Sequence, residues 1–460
     1  MPGTLANVIV VGGGLAGIAA ACDLADAGLA VTLVEARPML GGKTWSFRDE
    51  QTGMIVDNGQ HVFLGCCAAY RRFLQRLGID KATYLQPRLR VPIISEDGRT
   101  ALEASRFPLP APLHLLPSFL RLPMLSWREK LQAARTLAAI ARAGLAGRLA
   151  YDHLSFADWL RERGESERAI TYLWNLITLP TLNEDCEQAS AGLALMVFQE
   201  GLLHHAGGGR IGYATVGLSD LLCAAATRYL RERGASLRLG CRVVALEMED
   251  EHIAGVRLVD GEALPAGQVV LALPHYALAS LAPAAWRCHP FFARAARLDV
   301  SPIVGVNLWL DRVVLREPLA AVIGHEETYW VFDKGALLKL DMAGGQYLTI
   351  SISGARCYLE QSREQIIAQV RRDLEAVFPD LGAAQITHAL VIKERQATFA
   401  AVPGSLAQRL PTETPVPGLY LAGAWTDTGW PATMEGAALS GHAAAQAVLR
   451  ASRLTQTPRV

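Results

Sequence analysis

The feature that most constrains the fold is the run Val8-Ile9-Val10-Val11 breaking directly into Gly12-x-Gly14-x-x-Gly17. An unbroken run of β-branched residues predicts a strand buried on both faces, as in a parallel sheet. From Leu15 to Asp26 the spacing is helical, and Val31-Thr32-Leu33-Val34 predicts a second strand closed by Glu35. Strand, tight turn, helix, strand and terminal acid make up the unit that binds a dinucleotide. Gly12 permits the sharp turn, Gly14 lets a pyrophosphate reach the backbone, and Gly17 lets helix and strand pack closely. The N–H groups at Leu15 and Ala16 open the helix toward the phosphates. Glu35, followed by Ala36, is placed to accept both hydroxyls of an adenosine ribose and would repel a 2′-phosphate.

Gly41-Gly42-Lys43 follows this unit. In that position it resembles the flavoprotein pattern of the glutathione-reductase and amine-oxidase superfamily, in which a Gly-Gly-basic turn runs along the FAD pyrophosphate. The resemblance implies FAD as cofactor, with Gly42 and Lys43 at the phosphates. Asp57-Asn58-Gly59-Gln60-His61 comes next, and the equivalent segment of the superfamily passes the flavin ring. Gly59, Gln60 and His61 are therefore site candidates.

Composition narrows the class. The chain has 460 residues, 51% hydrophobic and 19% charged, with zero formal net charge. That is a globular protein of two or three cores and argues against a nucleic-acid binder. The eight cysteines show no C-x-x-C spacing and read as reduced residues of a cytoplasmic protein with no metal site. No basic region precedes the first apolar run, so no signal peptide is expected, and no apolar run reaches the ~18 residues of a membrane span.

Residues 104–151 stand apart. Prolines alternate with Leu, Phe and Met, a helix is predicted from about Ser126, and seven basic residues face the single acid Glu129. Arg121, Arg128, Arg135 and Arg142 recur every seven residues, which puts them on one stripe wherever the segment is helical. This pattern suits contact with an anionic membrane surface, making the protein peripheral at the inner face of a membrane. Residues 156–205 read as helices whose apolar side chains form a core or line a hydrocarbon channel. Strands are expected at Val300–Leu310, Thr328–Phe332, Leu337–Leu340 and Tyr347–Ser353, and an amphipathic helix from Ser362.

The second strong motif is Leu421-Ala422-Gly423-Ala424-Trp425-Thr426-Asp427-Thr428-Gly429-Trp430-Pro431-Ala432-Thr433-Met434-Glu435-Gly436: strand, glycine turn, loop, helix. A helix beginning near Thr433 and Met434 can direct its N–H groups at the flavin's pyrimidine edge and stabilise negative charge there. With Arg395-Gln396-Ala397-Thr398-Phe399-Ala400 and the Asp57–His61 segment, this resembles the amine oxidase and phytoene desaturase superfamily. More narrowly, the chain resembles the hydroxysqualene dehydroxylase family, also described as squalene-associated FAD-dependent desaturases. Ala424 is a departure, because the family carries an acid there.

The resemblance implies an α/β fold: a Rossmann-like FAD-binding domain of discontinuous segments (1–84, 206–290 and 395–460) and an inserted α+β substrate domain (85–205 and 291–394). It implies that Val243 meets the adenine and Gly423 the cofactor, and that a long-chain isoprenoid is the substrate. The implied reaction removes the hydroxyl of hydroxysqualene and delivers a hydride, giving squalene in hopanoid or triterpene synthesis. It needs an acid, for which His61, Asp427 and Glu435 are candidates, and an apolar pocket that excludes water. The alternatives are a carotenoid or squalene desaturase running the flavin oxidatively, an amine oxidase, and a non-catalytic flavin-binding subunit. No second nicotinamide motif identifies the electron donor.

Overall fold

The computed structural model describes residues 7–281, 283, 286, 289–323 and 327–456. Its organising element is a five-stranded parallel sheet in the order Ser236–Leu239, Ala30–Glu35, Asn7–Val11, Gln268–Leu271, Leu419–Leu421. Val8, Ile9 and Val10 are fully buried, as the unbroken apolar run demands. Each such side chain contributes about 1.5–3 kcal/mol by leaving water. The helix Leu15–Asp26 packs on one face, with the helix Met434–Gln456 laid across it. A Cβ at Gly441 would stand 2.3 Å from the Ala16 carbonyl oxygen, so that contact requires glycine. A three-stranded antiparallel layer, Val243–Glu249, His252–Leu258 and Ala263–Pro265, precedes the fourth strand.

The second sheet has seven strands, in the order Ile386–Phe399, Val300–Leu310, Gln346–Ser353, Thr328–Asp333, Leu319–Ile323, Arg90–Ser95, Gly98–Glu103. All neighbours are antiparallel except Leu319–Ile323 with Arg90–Ser95. One face is covered by the helix Arg363–Val377, whose Ser362 forms a capping box with Gln365. The other carries the helices between 156 and 203 at one end and the β-hairpin Ser46–Asp57 at the other. The strand expected at Leu337–Leu340 is instead the end of a short helix, Lys334–Leu337, capped by the Asp333 carboxylate. That cap overrides the apolar alternation.

The basic segment folds as the helix Trp127–Ala150, with a Ser126–Glu129 capping box and a break at Gly144. Arg128, Arg135 and Arg142 are exposed along it, whereas Ile140 is fully buried. Arg148 leaves the stripe to bind Gln199 and Glu200, and Arg121 faces Glu103. No described helix is long and apolar enough to cross a membrane. The described cysteines are free; Cys288 lies outside the described residues.

Candidate active site

Gly12 has φ +106°, a conformation an L side chain rarely adopts, and a Cβ at Gly17 would stand 1.9 Å from the Gly12 carbonyl oxygen. These two glycines close the turn and pull the helix onto it. Gly14 differs: a Cβ there would meet only the Gly42 Cα, at 3.8 Å, and a Cβ at Gly42 would stand 2.8 Å from the Gly14 Cα. The two backbones thus form a cradle open on one side. Gly14 caps the helix without a side chain, so the first-turn N–H groups at Leu15, Ala16 and Gly17 have no intrahelical acceptor and face an anion. Glu35 accepts from the Gly13 N–H (2.6 Å) and the Arg37 N–H (2.8 Å), which fixes its carboxylate beside the turn, with Ala36 between. Cys241 N–H donates to the Glu35 carbonyl, which brings Val243, at the start of its strand, to the same corner. This is a cradle that a side chain at Gly14 would fill, and it fits a dinucleotide pyrophosphate.

Lys43 turns away from that cradle. Its ammonium donates to the Gln396 carbonyl and to the Ala397 carbonyl (3.0 Å), at the end of the strand Ile386–Phe399. The expectation that Lys43 serves the phosphates is corrected: it ties the Gly-Gly turn to the seven-stranded sheet. Burial lowers its pKa, and the Glu394 carboxylate opposes that shift.

At the C-terminal turn, Gly423 (φ +140°) donates its N–H to Ser440 Oγ at 2.8 Å, and Trp425 Nε1 donates to the Leu273 carbonyl at 2.7 Å. Arg409, 1% exposed, binds the carbonyls of Ala424 (3.3 Å), Trp425 (3.2 Å) and Thr426. Desolvation lowers its pKa to about 10. A buried cation gripping backbone thus shapes the loop at Ala424, the position where the family acid is missing. Thr433 Oγ1 accepts from the Gly436 N–H at 3.2 Å, setting Met434 at the start of the last helix. Trp430 is half-buried against both large cores.

The Asp57–His61 strap is held by a residue that sequence reasoning missed. Lys334, 2% exposed, donates to Asp57 Oδ2 (2.5 Å) and Gln60 Oε1 (2.9 Å). Asp57 Oδ1 accepts the Leu218 N–H at 3.0 Å, so one buried ion pair joins three elements. Only a lysine directly after the Asp333 helix cap hinted at it. Gln60 Nε2 donates to the His61 carbonyl, and His61 Nδ1 lies 3.0 Å from the Gly59 carbonyl oxygen. A Cβ at Gly59 would meet nothing within 4 Å, so the strap borders open space.

The three candidate acids do not converge. Glu435 is 3% exposed, and its two oxygens accept the N–H groups of Ala69 (2.9 Å) and Tyr70 (2.7 Å). Burial pushes its pKa up and those bonds oppose it. It caps the helix Ala68–Leu77 and is spent there, a correction to its catalytic assignment. Asp427 is exposed on the C-terminal loop, outside any apolar enclosure. Burial lowers the His61 pKa, which keeps the imidazole neutral and makes it a poor acid near neutral pH.

One further cavity is apolar. It measures about 70 Å³ and is walled by Leu89, Val91, Leu102, Leu176, Val197 and Trp330 among others. Its only hydroxyl, on Thr181, is spent on the Ile177 carbonyl at 2.6 Å.

Parallel sheet, glycine cradle and acid-terminated second strand define a flavin-dependent oxidoreductase. The sequence matches the family described as flavin containing amine oxidoreductase over residues 15–449, and the chain belongs to that family and binds FAD. Among curated relatives it is 29% identical, over 97% of this chain and 99% of the relative, to a Synechococcus elongatus protein named "Probable zeta-carotene desaturase". It is 28% identical, over 96% of this chain and 78% of the relative, to the 15-cis-phytoene desaturase of Solanum lycopersicum. Among solved structures it shares the fold of a putrescine oxidase bound to putrescine (TM-score 0.71, 18% identity, 97% and 99% of the two chains). It shares it too with an oxidoreductase from Methanosarcina mazei (0.72, 16%, 96% and 100%).

Proposed function

We propose that this protein exchanges a hydride between FAD and an acyclic isoprenoid hydrocarbon, and that its reaction is the reductive dehydroxylation of hydroxysqualene to squalene. The observation that carries the substrate class is the apolar cavity between the helices of 156–203 and the seven-stranded sheet, whose single hydroxyl is already bonded. An ammonium substrate would need a carboxylate or another free acceptor there, and no side chain of the wall supplies one; its unpartnered polar atom is the Trp330 Nε1 donor. When bound, FAD supplies two-electron hydride chemistry. The protein's part is to seat the pyrophosphate on the Gly14–Gly42 cradle, hold the ring-side strap with Lys334, and keep water from a carbon that becomes electron-poor.

The dehydroxylation rests on the likeness of the Asp57–His61, Arg395–Ala400 and Trp425–Gly436 motifs to that family. The desaturase names of the curated relatives favour a second reading, oxidative desaturation of a carotenoid or squalene, and support it better than they support the first. The two run the flavin in opposite directions. An anaerobic single-turnover assay separates them: protein with photoreduced FAD is mixed with hydroxysqualene and products are read by mass spectrometry. Squalene with flavin reoxidation supports the first reading. No squalene, with a dehydrogenated polyene when oxidised protein meets squalene or phytoene, replaces it by the second.

The substrate class also gives a role to the basic segment. Phe107 (76% exposed), Trp127 (71%), Leu145 (66%) and Leu149 (64%) stand out of the same stretch as the exposed Arg128, Arg135 and Arg142. Apolar groups with a row of cations suit the interface of an anionic bilayer, where such a hydrocarbon dissolves. Replacing the three arginines by glutamine is expected to abolish most sedimentation with anionic liposomes; unchanged sedimentation rejects this surface.

A further inference from the structure

Dehydroxylation needs a proton at the departing oxygen, and none of the three acids named by the sequence supplies it. The register of the seven-stranded sheet points to another group. Cross-strand partners share a face. Ile392 pairs with Gly305, Gly305 with Ser351, and Ser351 with Trp330, so these four residues form one row on one face. Trp330 is a wall of the apolar cavity. Gly305 is buried at the middle of the sheet, yet a Cβ added to it would meet nothing within 4 Å. Space is therefore open over Gly305, in the same row as the cavity wall Trp330. In the neighbouring row Glu394 pairs with Ile303, and Ile303 with Ser353, so the Glu394 side chain lies on the same face, two residues along from Ile392.

Three elements that frame the cofactor carry groups within electrostatic reach of Glu394. Its field acts on Lys43 from the Gly-Gly turn, on His61 from the ring-side strap, and on Tyr276 from the helix His275–Leu281. Lys334, behind His61, is neutralised by Asp57. The basic neighbours on its own strand are engaged elsewhere: Lys393 donates to the Leu359 (2.9 Å) and Gln361 (2.5 Å) carbonyls, and Arg395 faces Glu360. Among the described residues the half-buried Glu394 carboxylate has no hydrogen-bond or ion-pair partner of its own.

We propose that Glu394 is the catalytic acid that protonates the leaving hydroxyl of the isoprenoid substrate, on the sheet face where space is open over Gly305. This rests on the dehydroxylation reading. The Glu394 carboxyl gives its proton to the hydroxyl oxygen, and the C–O bond breaks with its electron pair leaving as water. The flavin, when bound and reduced, would supply the hydride (two electrons and a proton) that the allylic carbon needs, and solvent would return the proton to Glu394. Between the two events the carboxylate faces a cationic carbon and stabilises it.

The test uses holoprotein and the variants Glu394→Gln and Glu394→Asp. In single turnover with photoreduced FAD and hydroxysqualene, Glu394→Gln is expected to form squalene about 100-fold or more slowly, and Glu394→Asp to recover part of the rate. Flavin absorbance and the thermal midpoint stay as in the parent. An amine analogue of squalene, with a protonated nitrogen at the cationic carbon, is titrated in parallel by its perturbation of the flavin spectrum. Its affinity is expected to fall at least about tenfold in Glu394→Gln with squalene affinity unchanged, the loss of one close charge pair. Squalene formation at the parental rate, or flavin lost from Glu394→Gln, overturns the proposal. A parent that makes no squalene fails the dehydroxylation reading alone. The amine titration then still decides whether Glu394 faces a cationic carbon, and unchanged amine affinity overturns that as well.

Discussion

The two sheets solve opposite problems. The five-stranded sheet presents crowded backbone: Gly12, Gly17 and Gly441 each sit where a Cβ would collide with a carbonyl oxygen, at 2.4, 1.9 and 2.3 Å. The seven-stranded sheet presents emptiness, a buried glycine at its centre with nothing above it and an apolar cavity beside it. Glycine in the first is a contact; in the second, on the proposed reading, it leaves room for a substrate. The lesson is that a polar, rigid ligand is bound by close backbone approach, whereas a hydrocarbon is bound by leaving space among apolar walls.

Gly14→Asp should break the first half of this contrast with the largest effect. The new side chain occupies the cradle facing Gly42 and sets a carboxylate where two phosphates belong, so the protein is expected to fold and purify without flavin. A full flavin spectrum in that variant would falsify the cradle. Gly305→Leu should break the second half and leave the first intact. It fills the space over Gly305, so flavin content stays at the parental level while turnover falls by about 100-fold, the cost of displacing a substrate from its reactive position. A variant that turns over normally shows that this space is not the substrate path.

The first region was readable because its founding unit is local, although Gly12 meets Ala272 and Gly441 meets Ala16 across the chain. Val8 to Glu35 carries strand, turn, helix and acid within one βαβ unit, and glycine leaves a visible mark at each tight point. The second region was not, because its site is assembled by register. Glu394 shares a face with Trp330 only through the strand order and the neighbouring rows Glu394–Ile303–Ser353 and Ile392–Gly305–Ser351–Trp330, across segments far apart in the chain. Lys334 finds Asp57 from the opposite end of the sequence in the same way. Glu435 lies in a motif that promised chemistry, and its oxygens cap the start of the helix Ala68–Leu77, at Ala69 and Tyr70. Lys43 likewise took carbonyls in place of phosphate. A sequence displays which groups are available; which partner each one meets is decided by tertiary placement.

The seam between the regions can be sharpened through Lys334. Replacing it with methionine leaves Asp57 buried and charged with only the Leu218 N–H for company, a loss of about 3–5 kcal/mol by denaturant unfolding. The double variant with Asp57→Asn is expected to recover part of that loss, because the stranded charge is gone. If the single variant is as stable as the parent, the strap is not held from the substrate side.

The smallest effect expected is a pH response confined to the nucleotide region. Asp23, on the helix Leu15–Asp26, is bonded by His442 from the last helix and Arg76 from the helix Ala68–Leu77. Burial alone would raise its pKa, but those two partners outweigh it and hold the carboxyl below its ordinary 3.8. A group whose pKa is depressed by folding stabilises the native state fully above its unfolded pKa. That stabilisation is lost as the pH falls through the folded one. Below about pH 4 the clamp on the helix that bears the phosphate-binding N–H groups weakens. Flavin release, followed by its fluorescence, is then expected to precede loss of the seven-stranded sheet. Asp23→Asn should remove about 1–3 kcal/mol at neutral pH, the worth of a bond to a charged group, and should flatten that acid limb. An acid limb unchanged in Asp23→Asn assigns the sensitivity elsewhere, and simultaneous loss of flavin and of the second sheet means that the two regions, however differently built, unfold as one.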